Sequence, residues 1–119
     1  MVDSTNTSRA MARQIVDSLV DGKAEDTVLL DITEQSVLAE FFIITTGTTD
    51  RQVRALAERV TEKLAESDIQ PVRTEGLADA RWVVIDFNGV MLHIFTPFDR
   101  RFYNLEELWS EATTVARVL

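Results

Sequence analysis

The stretch Arg81-Trp82-Val83-Val84-Ile85-Asp86-Phe87-Asn88-Gly89-Val90-Met91-Leu92-His93-Ile94-Phe95 reads as a β-hairpin, two apolar runs parted by Asn88-Gly89. An Asn-Gly pair in that setting predicts a two-residue type I′ turn, because both central residues of that turn need φ above zero. The turn fixes the register. Phe87 faces Val90, Asp86 faces Met91, Ile85 faces Leu92, Val84 faces His93, Val83 faces Ile94 and Trp82 faces Phe95. Side chains alternate between the faces of a strand, so these pairs fall into two sets. Val83, Ile85, Phe87, Val90, Leu92 and Ile94 form an entirely apolar face, which predicts core. Trp82, Val84, Asp86, Met91, His93 and Phe95 form the other, where aromatic and thioether groups mix with a carboxylate and the chain's one histidine. Such a mixture resembles a binding patch more than a core.

Upstream of the hairpin, Val53, Leu56, Ala57, Val60 and Leu64 make one apolar stripe at helical spacing, with charged residues on the remaining surface. A helix is expected from about Asp50 to Ser67, with Thr48, Thr49 or Asp50 accepting the free N–H groups of its first turn. Ile69 to Thr74 reads as an edge strand, since Pro71 cannot donate to a ladder, and Glu75 to Asp79 as a loop. Nearer the N-terminus, Val28 to Ile32 and Phe41 to Thr45 are short apolar, β-branched or aromatic runs that predict strands. Met11, Ile15, Leu19 and Val20 predict a first helix over residues 8–21, capped by Thr7 or Ser8 and ended by Gly22. Beyond Pro97 a basic and aromatic stretch, Arg100-Arg101-Phe102-Tyr103, precedes Asn104, which can cap a last helix carrying Leu105, Leu108, Trp109 and Ala112. The order α, β, β, α, β, β, β, α implies an α/β fold with a mixed sheet of about five strands and helices mainly on one face.

A chain of 119 residues suits one domain spanning residues 1–119. Residues 1–7 and the tail after about residue 110 are expected to be mobile. No apolar run approaches the roughly 20 residues a membrane-spanning helix needs, and the first ten residues lack the apolar core of a signal peptide. A soluble, cytoplasmic protein is expected. With no cysteine, disulfides, thiolate nucleophiles and cysteine-based zinc sites are excluded. Twenty acidic against twelve basic residues give a net charge of −8, which opposes attraction to phosphate backbones and favours a basic protein surface as partner.

These segments together resemble one family. Leu30-Asp31-Ile32, the run from Phe42 to Val53 through Thr45-Thr46-Gly47, and Glu75-Gly76 are followed by Trp82 to Asp86, Val90 to Phe95 and Arg101 to Trp109. In this unbroken order, over roughly residues 27–109, the chain is similar to the RsfS/Iojap ribosomal silencing factors. The resemblance implies a fold like that of nucleotidyltransferases, without a transferase reaction. It also implies translational repression when nutrients are scarce, and a partner, universal ribosomal protein fourteen of the large subunit, whose surface takes part in a bridge to the small subunit. Occupying that surface blocks joining. The family's contact face includes a tryptophan and an acidic residue matched here by Trp82 and Asp86, so Trp82, Val84, Asp86, Met91, His93 and Phe95 are the expected partner-binding residues. An exposed apolar patch of this kind also favours a homodimer when the protein is free. Phe87-Asn88-Gly89 departs from the family's more usual glycine followed by an acidic residue.

Other chemistries are less well served by the residues. Thr46-Gly47-Thr48 before a helix could offer N–H groups to a phosphate, yet metal-assisted phosphoryl transfer needs gathered carboxylates and Asp86 stands alone among apolar neighbours. His93 has no second histidine to share a metal with, which leaves a structural or interface role. Trp82 and Phe95 could form a simple cross-strand pair. Arg100 and Arg101 find nearby ion-pair partners in Asp99, Glu106 and Glu107. No catalytic residue, cofactor or metal is expected. The alternatives to a silencing factor are a nucleotide-binding or nucleotidyltransferase-like enzyme and a large-subunit assembly factor.

Overall fold

The computed structural model describes the backbone of residues 4–119 and the side chains from Thr7 onward. Six strands form one sheet in the order β3-β4-β5-β2-β1-β6: β1 Glu25–Asp31, β2 Phe41–Thr46, β3 Arg73–Glu75, β4 Trp82–Asp86, β5 Val90–Phe95 and β6 Thr113–Val118. The pairing of β2 with β5 is parallel and the other pairings are antiparallel, which makes the sheet mixed as its element order implied.

Helices α1 (Ser4–Asp21) and α2 (Asp50–Ala65) lie together on one face. Their apolar stripes, Ala12, Ile15 and Leu19 with Val53, Leu56, Val60 and Leu64, meet the inward residues Leu29, Phe41, Ile43, Val83, Ile85, Leu92 and Ile94 in one core. The expected start of α1 needs correction. Thr7 and Ser8 lie inside the helix rather than capping it, and Val20 is exposed. Of the segment expected to be mobile, residues 4–7 are helical, and residues 1–3 lie outside the described residues. Ser8 is buried and donates to Glu40 Oε1 at 3.0 Å.

The hairpin register is the one its turn dictated, from Trp82 against Phe95 to Asp86 against Met91. Its geometry is not type I′, however. Asn88 is left-handed with φ of 71°, but Gly89 is not. What requires glycine there is the approach of α1, since a Cβ at Gly89 would sit 2.1 Å from Ser8 Oγ. The carbonyl of Gly89 also accepts the N–H groups of Glu40 and Phe41, which docks the turn onto the start of β2.

The C-terminal part departs most from expectation. Pro97 opens a short helix α3 (Pro97–Tyr103), Asn104 reverses the chain in a left-handed conformation, and α4 is a single turn (Leu105–Leu108). Trp109 and Ala112 therefore lie beyond the helix that was expected to carry them, and Asn104 spends its side chain on Glu107 Oε2 at 2.7 Å. The segment expected to trail away as a mobile tail forms β6, the sixth strand, beside β1. Its residues are exposed except Val115 and Ala116, two neighbours partly buried against the core, so no buried alternation marked it in the sequence.

Candidate functional site

The second face of the sheet carries a smaller core of Val28, Leu30, Ile32, Phe42, Ile44 and Phe95, with Leu105, Trp109 and Ala112 folded over it. The cover divides the mixed hairpin face in two. Phe95 and His93 are 0% and 5% exposed, so they lie beneath the surface and not on it, correcting the expectation that all six residues present themselves outward. Trp82, Val84, Asp86 and Met91 are half-buried and line the surface.

Trp82 is held from three sides. Its ring stacks on Phe95 at 5.0 Å with an angle of 25°, lies 4.6 Å from the Tyr103 ring on α3, and its Nε1–H donates to His93 Nδ1 at 3.2 Å. His93 in turn meets Phe42 at 4.7 Å, and Phe42 meets Trp109 edge-on at 5.1 Å. Burial among these rings lowers the His93 pKa from 6.5 to about 4, so the imidazole is neutral at physiological pH. The aromatic cross-strand pair Trp82–Phe95 and the exposed anchor are thus one structure: Phe95 is the floor and Trp82 the surface.

Tyr103 continues the patch outward. It packs edge-on against Phe102 at 5.0 Å, and Phe102 stacks on Phe98 at 6.0 Å, with the two phenylalanines 66–69% exposed. Sequence reasoning left Phe98, Phe102 and Tyr103 out of the site. The signal was present in the i, i+4 spacing of Phe98 and Phe102, hidden by the absence of any expected helix over Pro97–Tyr103. Contiguous exposed rings beside a half-buried tryptophan are the composition of an interface core.

Asp86 accepts the N–H of Asn88 at 2.8 Å through one carboxylate oxygen, so it braces the turn as well as adding negative charge to the patch. Across the sheet from it stands Arg73 on β3, which pairs with Glu75 at 3.6 Å.

Arg100, on the same short helix as the exposed rings, points the other way. Buried, it grips both oxygens of Glu106 at 2.9 and 3.1 Å and donates to Thr46 Oγ1 at 2.8 Å and the Asp26 carbonyl at 2.6 Å. Arg117 on β6 completes the cluster with a two-pronged contact to the Asp26 carboxylate, which it holds below the usual carboxylate range. The ion pair with Glu106 is the expected one. Arg100 is therefore a tie between α3, α4 and the end of the sheet, and not part of a basic strip.

The turn before α2 spends the N–H groups of Gly47 and Thr48 within the chain. Gly47 donates to Phe95 O at 2.9 Å, Thr48 donates to Gln52 Oε1 at 2.7 Å, and Gln52 donates to Thr49 Oγ1 at 3.1 Å. Thr49 is thus the cap among the three residues proposed for that role. A Cβ on Gly47 would lie 2.9 Å from Val53, so its glycine serves close packing onto α2. Among the described residues no three His, Asp or Glu side chains gather as metal ligands.

Comparison with known proteins follows the same direction. A family model described as "Ribosomal silencing factor during starvation" matches residues 5–118. A ribosomal silencing factor RsfS of Bacillus subtilis is 40% identical over 92 residues, covering 77% of this chain and 78% of that protein. Its counterpart in Halalkalibacterium halodurans is 41% identical over 100 residues, covering 84% and 86%. A crystal structure from Chromobacterium violaceum superposes with a TM-score of 0.84 at 33% identity, covering 86% of this chain and 85% of that one.

Proposed function

This chain belongs to the RsfS family of ribosomal silencing factors, and from that premise we propose that it represses translation by binding the large ribosomal subunit and blocking entry of the small one. The partner in this reading is universal ribosomal protein fourteen at the subunit interface. The docking face is the exposed part of the hairpin, Trp82, Val84, Asp86 and Met91, extended by Tyr103. His93 and Phe95 act from beneath it.

One observation carries the reading: a tryptophan that keeps part of its ring at the surface although it is clamped by Phe95, Tyr103 and His93. A rigid aromatic ring loses little side-chain entropy when a partner covers it, which is why such rings concentrate binding energy. The net charge of −8 and the Asp86 carboxylate favour a basic surface as partner. Blocking needs only occupancy, so no reaction is required, and the N–H groups of Gly47 and Thr48 are spent within the chain. The protein acts as a non-enzymatic factor in the cytoplasm. Free copies bury the same apolar patch against each other, so that dimerisation and subunit binding compete.

Co-sedimentation with separated ribosomal subunits tests this. The protein is expected with large subunits in the absence of nucleotide, and the yield of joined ribosomes should fall as it is added. Equal partition between the subunits, or strict dependence on a nucleoside triphosphate, overturns the proposal. Binding that leaves joining untouched and alters only subunit maturation would convert it to an assembly role.

A further inference from the structure

His93 stands on β5 diagonally across from Trp82, two residue pairs inward from Phe95. Its Nδ1 accepts the indole N–H, so the ring's own proton sits on Nε2. That Nε2 is buried and has no hydrogen-bond partner. A buried donor with nothing to donate to lowers stability, and the surroundings of His93 are aromatic: Phe42, Trp82 and Phe95. Phenylalanine would fill the same place among those rings with no buried polar atom of its own, at the loss of the acceptor for the part-buried Trp82 N–H. The imidazole is therefore disfavoured by its own packing and does one thing that a hydrocarbon ring cannot, which is to accept the N–H of Trp82.

Resting on the docking reading above, we propose that His93 is a positioning residue for the docking face, setting the orientation of the Trp82 indole by accepting its N–H. The consequence for recognition is specific. With its one donor turned inward to His93, Trp82 offers a partner the face and edge of the ring and no hydrogen bond. The matching surface on the partner is apolar side-chain hydrocarbon, with polar contacts supplied by Asp86 and the rest of the rim.

The full-length chain is compared as wild type, His93→Phe, His93→Asn, Trp82→Phe and Trp82→Ala, with three measurements on each. These are the denaturant midpoint, the indole N–H resonances by proton–nitrogen NMR, and affinity for isolated large subunits. Trp82→Phe assigns which of the two indole signals is Trp82. The expectation for His93→Phe is a midpoint equal to or above wild type, a Trp82 indole signal moved toward an unbonded position, and affinity lowered about three- to tenfold, the worth of one net hydrogen bond. His93→Asn places an amide oxygen close to where Nδ1 was and should restore both the signal and most of the affinity. Three results overturn the inference: a His93→Phe chain that unfolds more readily than wild type, an unmoved indole signal, or wild-type affinity despite a moved signal. The docking reading fails separately. If Trp82→Ala binds as wild type, the face itself is wrong and this inference goes with it; if Trp82→Ala loses affinity and His93→Phe does not, only the role of His93 is refuted.

Discussion

Replacing Trp82 and Ile85 by alanine, one at a time, separates docking from folding, because the two residues stand three apart on one strand and face opposite ways. A tryptophan side chain presents about 150–250 Å² for burial. About two-thirds or more of that is already covered in Trp82, by Phe95, Tyr103 and His93, and at most about 90 Å² remains for a partner. At about 25 cal/mol per Å² the covered part is worth about 2.5–4 kcal/mol and the exposed remainder at most about 2 kcal/mol. Trp82→Ala should thus lower folding stability by about 2.5–4 kcal/mol and large-subunit affinity by up to about 2 kcal/mol, about 10- to 30-fold. Ile85 is fully buried against α2, and Ile85→Ala should cost about 2–5 kcal/mol in folding through the cavity it opens, with no loss of affinity per folded molecule. Urea unfolding and subunit binding are measured on the same preparations, at a temperature where each variant is folded. A Trp82→Ala chain with wild-type affinity would falsify the assignment of the docking face, and an Ile85→Ala chain that folds but does not bind would mean that the two faces have been exchanged.

Asp86→Asn keeps an oxygen for the Asn88 N–H and removes only the charge, so the hairpin should persist while affinity falls about tenfold and loses part of its salt dependence; an affinity indifferent to the change would leave Asp86 as a turn brace alone. Thr49→Ala should lower stability by about 0.5–2 kcal/mol as a lost helix cap, whereas Asp50→Ala, whose residue does not cap, should change little; the reverse order in a denaturant titration would reassign the cap. His93 has its folded pKa depressed to about 4 from 6.5, so between those values the unfolded chain binds a proton that the folded chain does not. Stability should therefore rise with pH through that window, by about 3 kcal/mol in all, and His93→Phe should flatten this part of the profile; equal slopes for variant and wild type would contradict the burial. Asp26, depressed chiefly by Arg117, acts at lower pH: its stabilisation is present above 3.8 and is lost as pH falls below that, and Arg117→Ala should remove that acid dependence from the urea midpoint.

The hairpin was legible because two local rules agree there: an Asn-Gly turn sets the register and strict alternation then sorts the faces. The helix over Asp50–Ala65 was legible for the same reason, its five buried residues being the stripe seen in the sequence. The turn type was misjudged because the need for Gly89 arises from a contact with Ser8, 81 positions away, and no local rule reports such a contact. The strand β6 was invisible because an edge strand whose partly buried residues, Val115 and Ala116, are adjacent has no buried period of two, and it is held in part by an ion pair between Arg117 and Asp26, distant in sequence. The burial of His93 and Phe95 likewise depends on Trp109 and Leu105 folding back over the sheet from a chain reversal at Asn104. Local pattern locates a face; what later covers part of that face is a tertiary matter.

The parallel pairing of β2 with β5 divides the sheet into two antiparallel leaves, β3-β4-β5 and β2-β1-β6, sewn along one seam. Each leaf contains a hairpin that closes over a short loop, but the seam joins Phe41 to Val90, across an intervening stretch that must first fold back on itself. Closure of so long a loop is entropically slow compared with either hairpin. The contact between Phe42 and His93 spans that seam, and His93 is what the Trp82 indole rests upon. Before the leaves join, the hairpin can set Trp82 against Phe95 and His93, but the imidazole lacks the Phe42 ring that packs on it. In the docking reading, a chain whose leaves have not joined is consequently a weaker ligand than its hairpin alone would suggest, because the support beneath His93 comes from the other leaf.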